Sequence, residues 1–193
     1  MKRVCVYCAS SMKINEIYFA ATEKLATYLV EENIEVVFGG GSVGLMGKLA
    51  DTVIAKGGKI VGIMPNFMRE VEWQHKKVEE FHFTETMHER KQKFLENVDG
   101  LITLAGGSGT LEEVLEAITL KKLGLFAKPI VILNTNGFYE PLKQMFEKCI
   151  EEKFMDNEHR EMWTFVNEPE EVIEALRKTL PWNKGAINFT NAK

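Results

Sequence analysis

The chain predicts an α/β fold, a single doubly wound domain whose mainly parallel sheet is flanked by helices. Three observations lead there. Short runs rich in β-branched residues alternate with stretches of helical periodicity, which is the pattern of a parallel sheet covered on both faces. The 193 residues are 45% hydrophobic and 27% charged, enough for one domain with its own core. Finally, the glycine-rich and charge-dense motifs fall directly after predicted strands, where open α/β sheets bind ligands.

The elements follow in order. A first strand is read over 3–8 and a helix over 14–32, with Tyr18, Phe19, Leu25 and Leu29 on its core side. Strand 35–38 leads to a helix at 44–56, and strand 59–64 leads through a loop to strand 78–84 and a helix at 87–98. Strand 100–104 precedes a helix at 110–123, and strand 129–133 precedes one at 138–152. A run at 163–166 adds an edge strand before a last helix at 169–179. Residues 1–180 thus form one Rossmann-like domain, and 181–193 form a tail, poor in periodicity, that is loose or docked on a partner.

Several function classes are excluded at this stage. A net charge of −4 argues against a general nucleic-acid or membrane-surface binder, so any anion site must be made locally. Apolar runs such as Ile34 to Phe38 are too short to span a bilayer. The start, Met1 to Cys5, runs straight into a strand without a signal-peptide pattern. Three cysteines make no disulfide framework, and a cytoplasmic setting is expected. Cys5 and Cys8 match C-x-x-C, but in a strand they point to opposite faces and read as core residues. His75, His82, His88 and His159 have no metal-ligand spacing.

The stretch Ala105-Gly106-Gly107-Ser108-Gly109-Thr110-Leu111-Glu112-Glu113 carries the clearest chemistry. Glycines let the backbone approach a ligand, and the free N–H groups of a helix start favour an anion. Thr110 and Glu113 also have capping-box spacing, a purely structural use of the same acid. A carboxylate held near a helix N-terminus suits an electrostatic stabiliser or a base for water. A second motif is Thr86-Met87-His88-Glu89-Arg90-Lys91. Thr86 and Glu89 again have capping-box spacing, which puts Arg90 and Lys91 in a first helical turn. Cations are disfavoured there by about 0.3–1 kcal/mol each, and an anion between them would reverse that. The plain alternative is a solvated basic surface.

Gly39 to Gly44 fits the letters G-x-G-x-x-G, but it follows the second strand and no acid closes the next one. Gly47-Lys48 lacks the leading glycine and the metal-binding hydroxyl of a triphosphate loop. A simple phosphate or sugar cradle and a tight strand-to-helix turn both stay open. Met64, Phe67 and Trp73 suit a base or prenyl slot and ordinary packing equally well.

Together, Met87-His88-Glu89-Arg90-Lys91 and Gly106-Gly107-Ser108-Gly109-Thr110-Leu111-Glu112-Glu113 resemble the LOG (Lonely Guy) family of cytokinin riboside 5′-monophosphate phosphoribohydrolases. The likeness runs from Cys8-Ala9-Ser10-Ser11 through Gly39 to Gly47 and on to Asn136-Gly137-Phe138-Tyr139. It implies hydrolysis of the N-glycosidic bond of a nucleoside 5′-monophosphate, with no metal and no cofactor. It implies Arg90 and Glu113 as catalytic residues. Substrate binding is expected from Ser10, Gly40, Gly41, Lys91, Gly106, Gly107, Ser108, Gly109, Thr110, Leu111, Glu112 and Thr119. Bottom-up chemistry agrees: breaking this bond builds positive charge on ribose, which a fixed carboxylate stabilises while orienting water. Arginine stays charged, so Arg90 is read as an anchor and charge stabiliser.

The resemblance further implies a homodimer or larger homo-oligomer. The family proline before the glycines is Ala105 here, which leaves the loop start looser. The stretch 65–78 is longer than in typical members, so no acid role is carried over to Glu70 or Glu72. Relatives often carry a lysine decarboxylase label, but no motif for a pyridoxal-binding lysine is present. Two other readings stay open: a general purine-nucleotide nucleosidase acting on AMP, and a non-catalytic nucleotide or cofactor carrier on the same scaffold.

Overall fold

The computed structural model describes residues 1–69, 74–180 and 182. Seven strands form one sheet: β1 (Arg3–Tyr7), β2 (Glu35–Phe38), β3 (Ile60–Pro65), β4 (Glu80–Thr84), β5 (Gly100–Thr103), β6 (Ile130–Leu133) and β7 (Thr164–Val166). Their order is β4-β3-β2-β1-β5-β6-β7, and every neighbouring pair is parallel. The helices are α1 (Glu16–Glu31), α2 (Gly44–Ala55), α3 (Met87–Leu95), α4 (Ser108–Lys122), α5 (Glu140–Glu151) and α6 (Val172–Lys178). The expected α/β architecture is present, and the edge strand at the end of the chain pairs with β6.

Strand periodicity divides the core into two layers. Val4, Val6 and Cys8 face Leu25 and Leu29 of α1, Leu49 of α2 and Leu176 of α6. Cys5 and Tyr7 face the other way, toward Phe94 of α3, Val114 of α4 and Phe146 of α5. A sheet buried on both sides needs apolar residues at nearly every strand position, hence runs such as Ile130–Leu133. Cys5 and Cys8 are buried free thiols on opposite faces, as the strand spacing requires. Leu25 and Leu29 are fully buried, while Tyr18 and Phe19 pack half-buried at the edge of the same layer.

Helix starts show where local chemistry decides. Asn15 caps α1, its side chain accepting from the Ile17 N–H at 3.0 Å. Thr86 caps α3 through the Glu89 N–H at 3.1 Å, and Glu89 returns a bond to the Glu85 N–H at 2.8 Å. The capping box expected at Thr110 is not formed. Helix α4 starts two residues earlier, at Ser108, behind Gly107 as its N-cap, and both Thr110 and Glu113 lie inside it. Helix α3 stops at Leu95, because Asn97 (φ 55°) takes the left-handed backbone that ends helices. Helix α5 starts after a turn in which Asn136 and Gly137 have positive φ, and the first turn of the last helical run is a 3₁₀ turn, Pro169–Glu171.

From β1 the chain builds outward to β4 on one side, then crosses back to β5 on the other. The strand order therefore reverses between β1 and β5, and a crevice opens at their carboxyl ends. Met64 is buried within β3 and Phe67 is exposed. Glu70, Glu72, Trp73 and the tail apart from Trp182 lie outside the described residues; Trp182 is buried beside His159.

Candidate active site

A crevice of about 330 Å³ occupies this reversal point. One wall is the segment from the end of β1 through Ser10 and Ser11. The opposite wall is Gly107, Ser108, Gly109, Thr110 and Glu113 from the loop and start of α4, and Arg90 and Phe94 of α3 close it with Gly39 and Met46.

The glycine loop after β5 is shaped by its own helix. A Cβ on Gly106 would fall 2.1 Å from the Thr110 hydroxyl oxygen, so this glycine makes room for Thr110. Leu111 returns a backbone bond to the Gly107 carbonyl at 3.0 Å. The N–H groups of Ser108, Gly109 and Thr110 precede that bond, at the turn where helices leave donors for a ligand. At Gly107 and Gly109 a Cβ would meet nothing within 4 Å, which leaves the backbone accessible from the crevice.

The loop start is fastened from two sides. The Ala9 N–H donates to the Ala105 carbonyl at 3.3 Å. The buried phenol of Tyr139 donates to the Leu104 carbonyl at 2.8 Å, and the Tyr139 N–H is held by the Asn134 side chain at 2.6 Å.

The glycines after β2 behave differently. The α2 amides of Leu45 and Met46 both donate to the Ala9 carbonyl, at 2.9 and 3.2 Å. A Cβ on Gly44 would fall 2.4 Å from the Ser10 carbonyl carbon, and one on Gly47 would fall 2.3 Å from the Ser42 carbonyl oxygen. These glycines serve close backbone packing, and the first donors of α2 are spent inside the protein. Gly39 lines the crevice, whereas Gly40 packs on Phe81 and Gly41 bridges to Gln74.

Arg90 and Lys91 diverge. Arg90 is buried. Its Nε donates to the Ile63 carbonyl at 3.1 Å and its Nη2 to the Gly39 carbonyl at 3.2 Å. Its Cζ lies 4.9 Å from the centre of the Phe94 ring, one helical turn on. Nη1 then faces the Glu113 carboxylate at 3.7 Å, with the two side chains only 8% and 14% exposed. Lys91 turns instead to α4, where its Nζ meets Glu112 at 2.5 Å and Glu116 at 2.9 Å. Those two bonds raise the Lys91 pKa. Thr119 is exposed and donates to the Leu115 carbonyl.

Among the expected site residues, the structure thus gathers Ser10, Arg90, Gly107, Ser108, Gly109, Thr110 and Glu113 around one crevice, with Gly106 just behind. It leaves Gly40, Gly41, Lys91, Leu111, Glu112 and Thr119 out of the lining. Sequence reasoning did not name Tyr7, Met46 or Phe94 as site residues; it read Cys8 as core and named Gly39 only within the glycine motif. Phe94 was within reach, since it stands four residues after Arg90 on the same helix face. Burial first, and then neighbouring negative groups that include Glu113, push the Tyr7 phenol and the Cys8 thiol upward, so both are neutral at ordinary pH. The floor of the crevice is therefore uncharged, and Arg90 and Glu113 supply the charge of its lining.

Comparison with known proteins follows the same line. Residues 46–176 match a family model described as possible lysine decarboxylase. The chain is 37% identical over 187 residues to the probable cytokinin riboside 5′-monophosphate phosphoribohydrolase LOGL2 of Oryza sativa subsp. japonica, covering 97% of this chain and 77% of that protein. It is 37% identical over 180 residues to cytokinin riboside 5′-monophosphate phosphoribohydrolase LOG2 of Arabidopsis thaliana, covering 93% and 84%. Among solved structures, the molybdenum cofactor binding protein of Rippkaea orientalis superposes with a TM-score of 0.70 at 18% identity, covering 92% of this chain and 96% of that one. The molybdenum cofactor carrier protein of Chlamydomonas reinhardtii gives a TM-score of 0.69 at 18% identity, covering 92% and 97%. At that identity the likeness speaks for the fold alone.

Proposed function

The chain belongs to the LOG family of cytokinin riboside 5′-monophosphate phosphoribohydrolases, and from that premise we propose that it hydrolyses the N-glycosidic bond of an N6-substituted adenosine 5′-monophosphate, or of AMP itself, to free base and ribose 5-phosphate. One observation carries the reading. The Arg90 guanidinium and the Glu113 carboxylate meet at 3.7 Å in a crevice that also holds the glycine-rich start of α4.

In this reading the 5′-phosphate rests on the N–H groups of Ser108, Gly109 and Thr110, where the helix dipole favours negative charge. Arg90 anchors the nucleotide and keeps its charge throughout. As the C1′–N bond lengthens, positive charge builds on the ribose and the Glu113 carboxylate stabilises it. The same carboxylate orients a water whose oxygen bonds to C1′. The electron pair of the broken bond leaves with the base, and the proton shed by the water ends on the base. The described residues of the crevice lining include no lysine for a Schiff base, so they do not fit the pyridoxal group of a lysine decarboxylase.

The reading takes residues 1–180 as one nucleotide-binding domain of a cytoplasmic homodimer or larger homo-oligomer. Three thiols outside any disulfide suit a reducing compartment. Among the described residues no helix is long and apolar enough to cross a membrane.

The test is chromatography after incubation with a panel of nucleoside monophosphates that includes AMP and N6-isopentenyl-AMP. Free base and ribose 5-phosphate are expected, and Glu113→Gln should lower turnover by about 10²–10³-fold while nucleotide binding persists. Binding of AMP by the native chain without any base release would overturn the reading in favour of a carrier.

A further inference from the structure

We propose that Phe94 is a positioning residue: its ring is the support on which the Arg90 guanidinium lies, and it fixes the direction in which Nη1 points into the crevice. The proposal rests on the catalytic reading of Arg90 and Glu113. A guanidinium is planar, and its donors lie in that plane. The two bonds that tie Arg90 to the sheet, from Nε to the Ile63 carbonyl and from Nη2 to the Gly39 carbonyl, both leave from one edge of the group. An edge held at two points is a hinge. The plane can still swing about it, and Nη1, at the far corner, moves most. Nη1 is the atom that faces Glu113. Only a contact against the face of the group stops that swing, and Phe94 supplies it, with its ring centre 4.9 Å from Arg90 Cζ.

The support is itself fixed. Tyr7, on the central strand β1, meets Phe94 edge to face, with ring centres 5.5 Å apart and planes at 72°. Both rings belong to the core layer that also holds Cys5, Val37 and Ile63. The face of an aromatic ring attracts a cation, more strongly where water is excluded, and Arg90 and Phe94 are both buried. Stacking on the base is the other use a ring could have here. Phe94 borders the crevice, but it is only 1% exposed, so it offers a base no face to stack on. A leucine at this position would fill part of the space without a π face, and the guanidinium would tilt.

Base release from AMP tests this on the full chain with Phe94 replaced by 4-fluoro-, 3,5-difluoro- and pentafluorophenylalanine, each variant also followed by thermal melting. Fluorine draws electron density from the ring face while the ring keeps nearly the same shape, so its pull on a cation weakens in steps. kcat/KM should fall in that order, by about 3–30-fold at the pentafluoro ring, whereas the melting temperature should not follow it. Inhibition by free adenine should stay unchanged along the series. A second pair of variants reads the coupling. Arg90→Lys keeps the charge but has no planar face to support, so Phe94→Leu should lower kcat/KM in the native background and add little in Arg90→Lys. A fluorine series without a trend in folded protein overturns the proposal, and so does full multiplication of the Phe94→Leu and Arg90→Lys defects. Adenine inhibition that changes with fluorination overturns it in favour of base stacking. In those three outcomes the native chain still releases base and Glu113→Gln still loses turnover, so the catalytic reading stands. A native chain that releases no base overturns both.

Discussion

Replacing Gly39 by alanine should disarm Arg90 without touching it. A Cβ at position 39 falls 2.8 Å from Arg90 Nη2 and 2.9 Å from Met46 Sδ. Ordinary van der Waals contact begins at 3.4 Å, so the guanidinium must retreat by roughly 0.6 Å. It has little room to do so, because Nη2 already donates to the Gly39 carbonyl and Nε to that of Ile63. The new methyl and the Gly39 carbonyl bear on the same nitrogen, and the bond that Nη2 donates to that carbonyl is the one lost. A hydrogen bond to a charged group is worth about 1.5–3 kcal/mol, which corresponds to about 10–150-fold in rate if the displaced group acts in the transition state. The position of Gly39 lies outside the left-handed region, so alanine adds no backbone strain of its own. The overpacking itself should cost about 1–3 kcal/mol of stability. The assay is kcat/KM for base release, measured on protein shown to be folded by its thermal melt. A folded Gly39→Ala protein with wild-type kcat/KM would refute the argument that Arg90 works from its observed position.

Two other perturbations separate binding from folding. Gly107→Ala and Gly109→Ala meet no atom within 4 Å and should fold normally, Gly109→Ala gaining about 0.5–1 kcal/mol within the helix; both should still weaken inhibition by ribose 5-phosphate, because the added methyl stands where the ligand approaches the backbone. Gly106→Ala, by contrast, collides with Thr110 and should lower the melting temperature as well. Buried Lys121 has its pKa lowered from 10.5 to about 8 by desolvation, with its Nζ donating to the Lys128 carbonyl. Between those values the unfolded chain holds a proton that the folded chain lacks, so this group makes stability rise with pH there, by at most ~3 kcal/mol. Urea midpoints at pH 7.5 and 10 should show that rise in the native protein relative to Lys121→Met.

The strands were legible because both faces of the sheet are buried, so apolar runs such as Glu35–Phe38 and Ile130–Leu133 stand out against the helical periodicity between them. The place of the site was legible too, since loops after parallel strands meet at one end of the sheet. What escaped was the partner of each polar group. Thr110 and Glu113 have the letters of a capping box, yet Gly107 takes the cap and Glu113 turns toward Arg90. The same local spacing serves both outcomes, and the choice is made by what lies across the crevice. Arg90 and Lys91 read alike, as neighbouring cations against a helix dipole. Which one enters the crevice depends on carbonyls from β3 and the β2 loop, and on acids from α4, all distant in sequence. The glycines from Gly39 to Gly47 suggested a phosphate cradle, because close backbone packing and ligand approach both call for a missing Cβ.

The bond from the Tyr139 phenol to the Leu104 carbonyl also has a bearing on biosynthesis. A nascent chain that has already exposed both members of the charged pair still lacks one of the two groups that fasten the glycine loop. That group arrives only with the segment following β6. A release product truncated ahead of Tyr139 would carry every residue of the crevice lining and hold its glycine loop from one side only, through the Ala9 N–H.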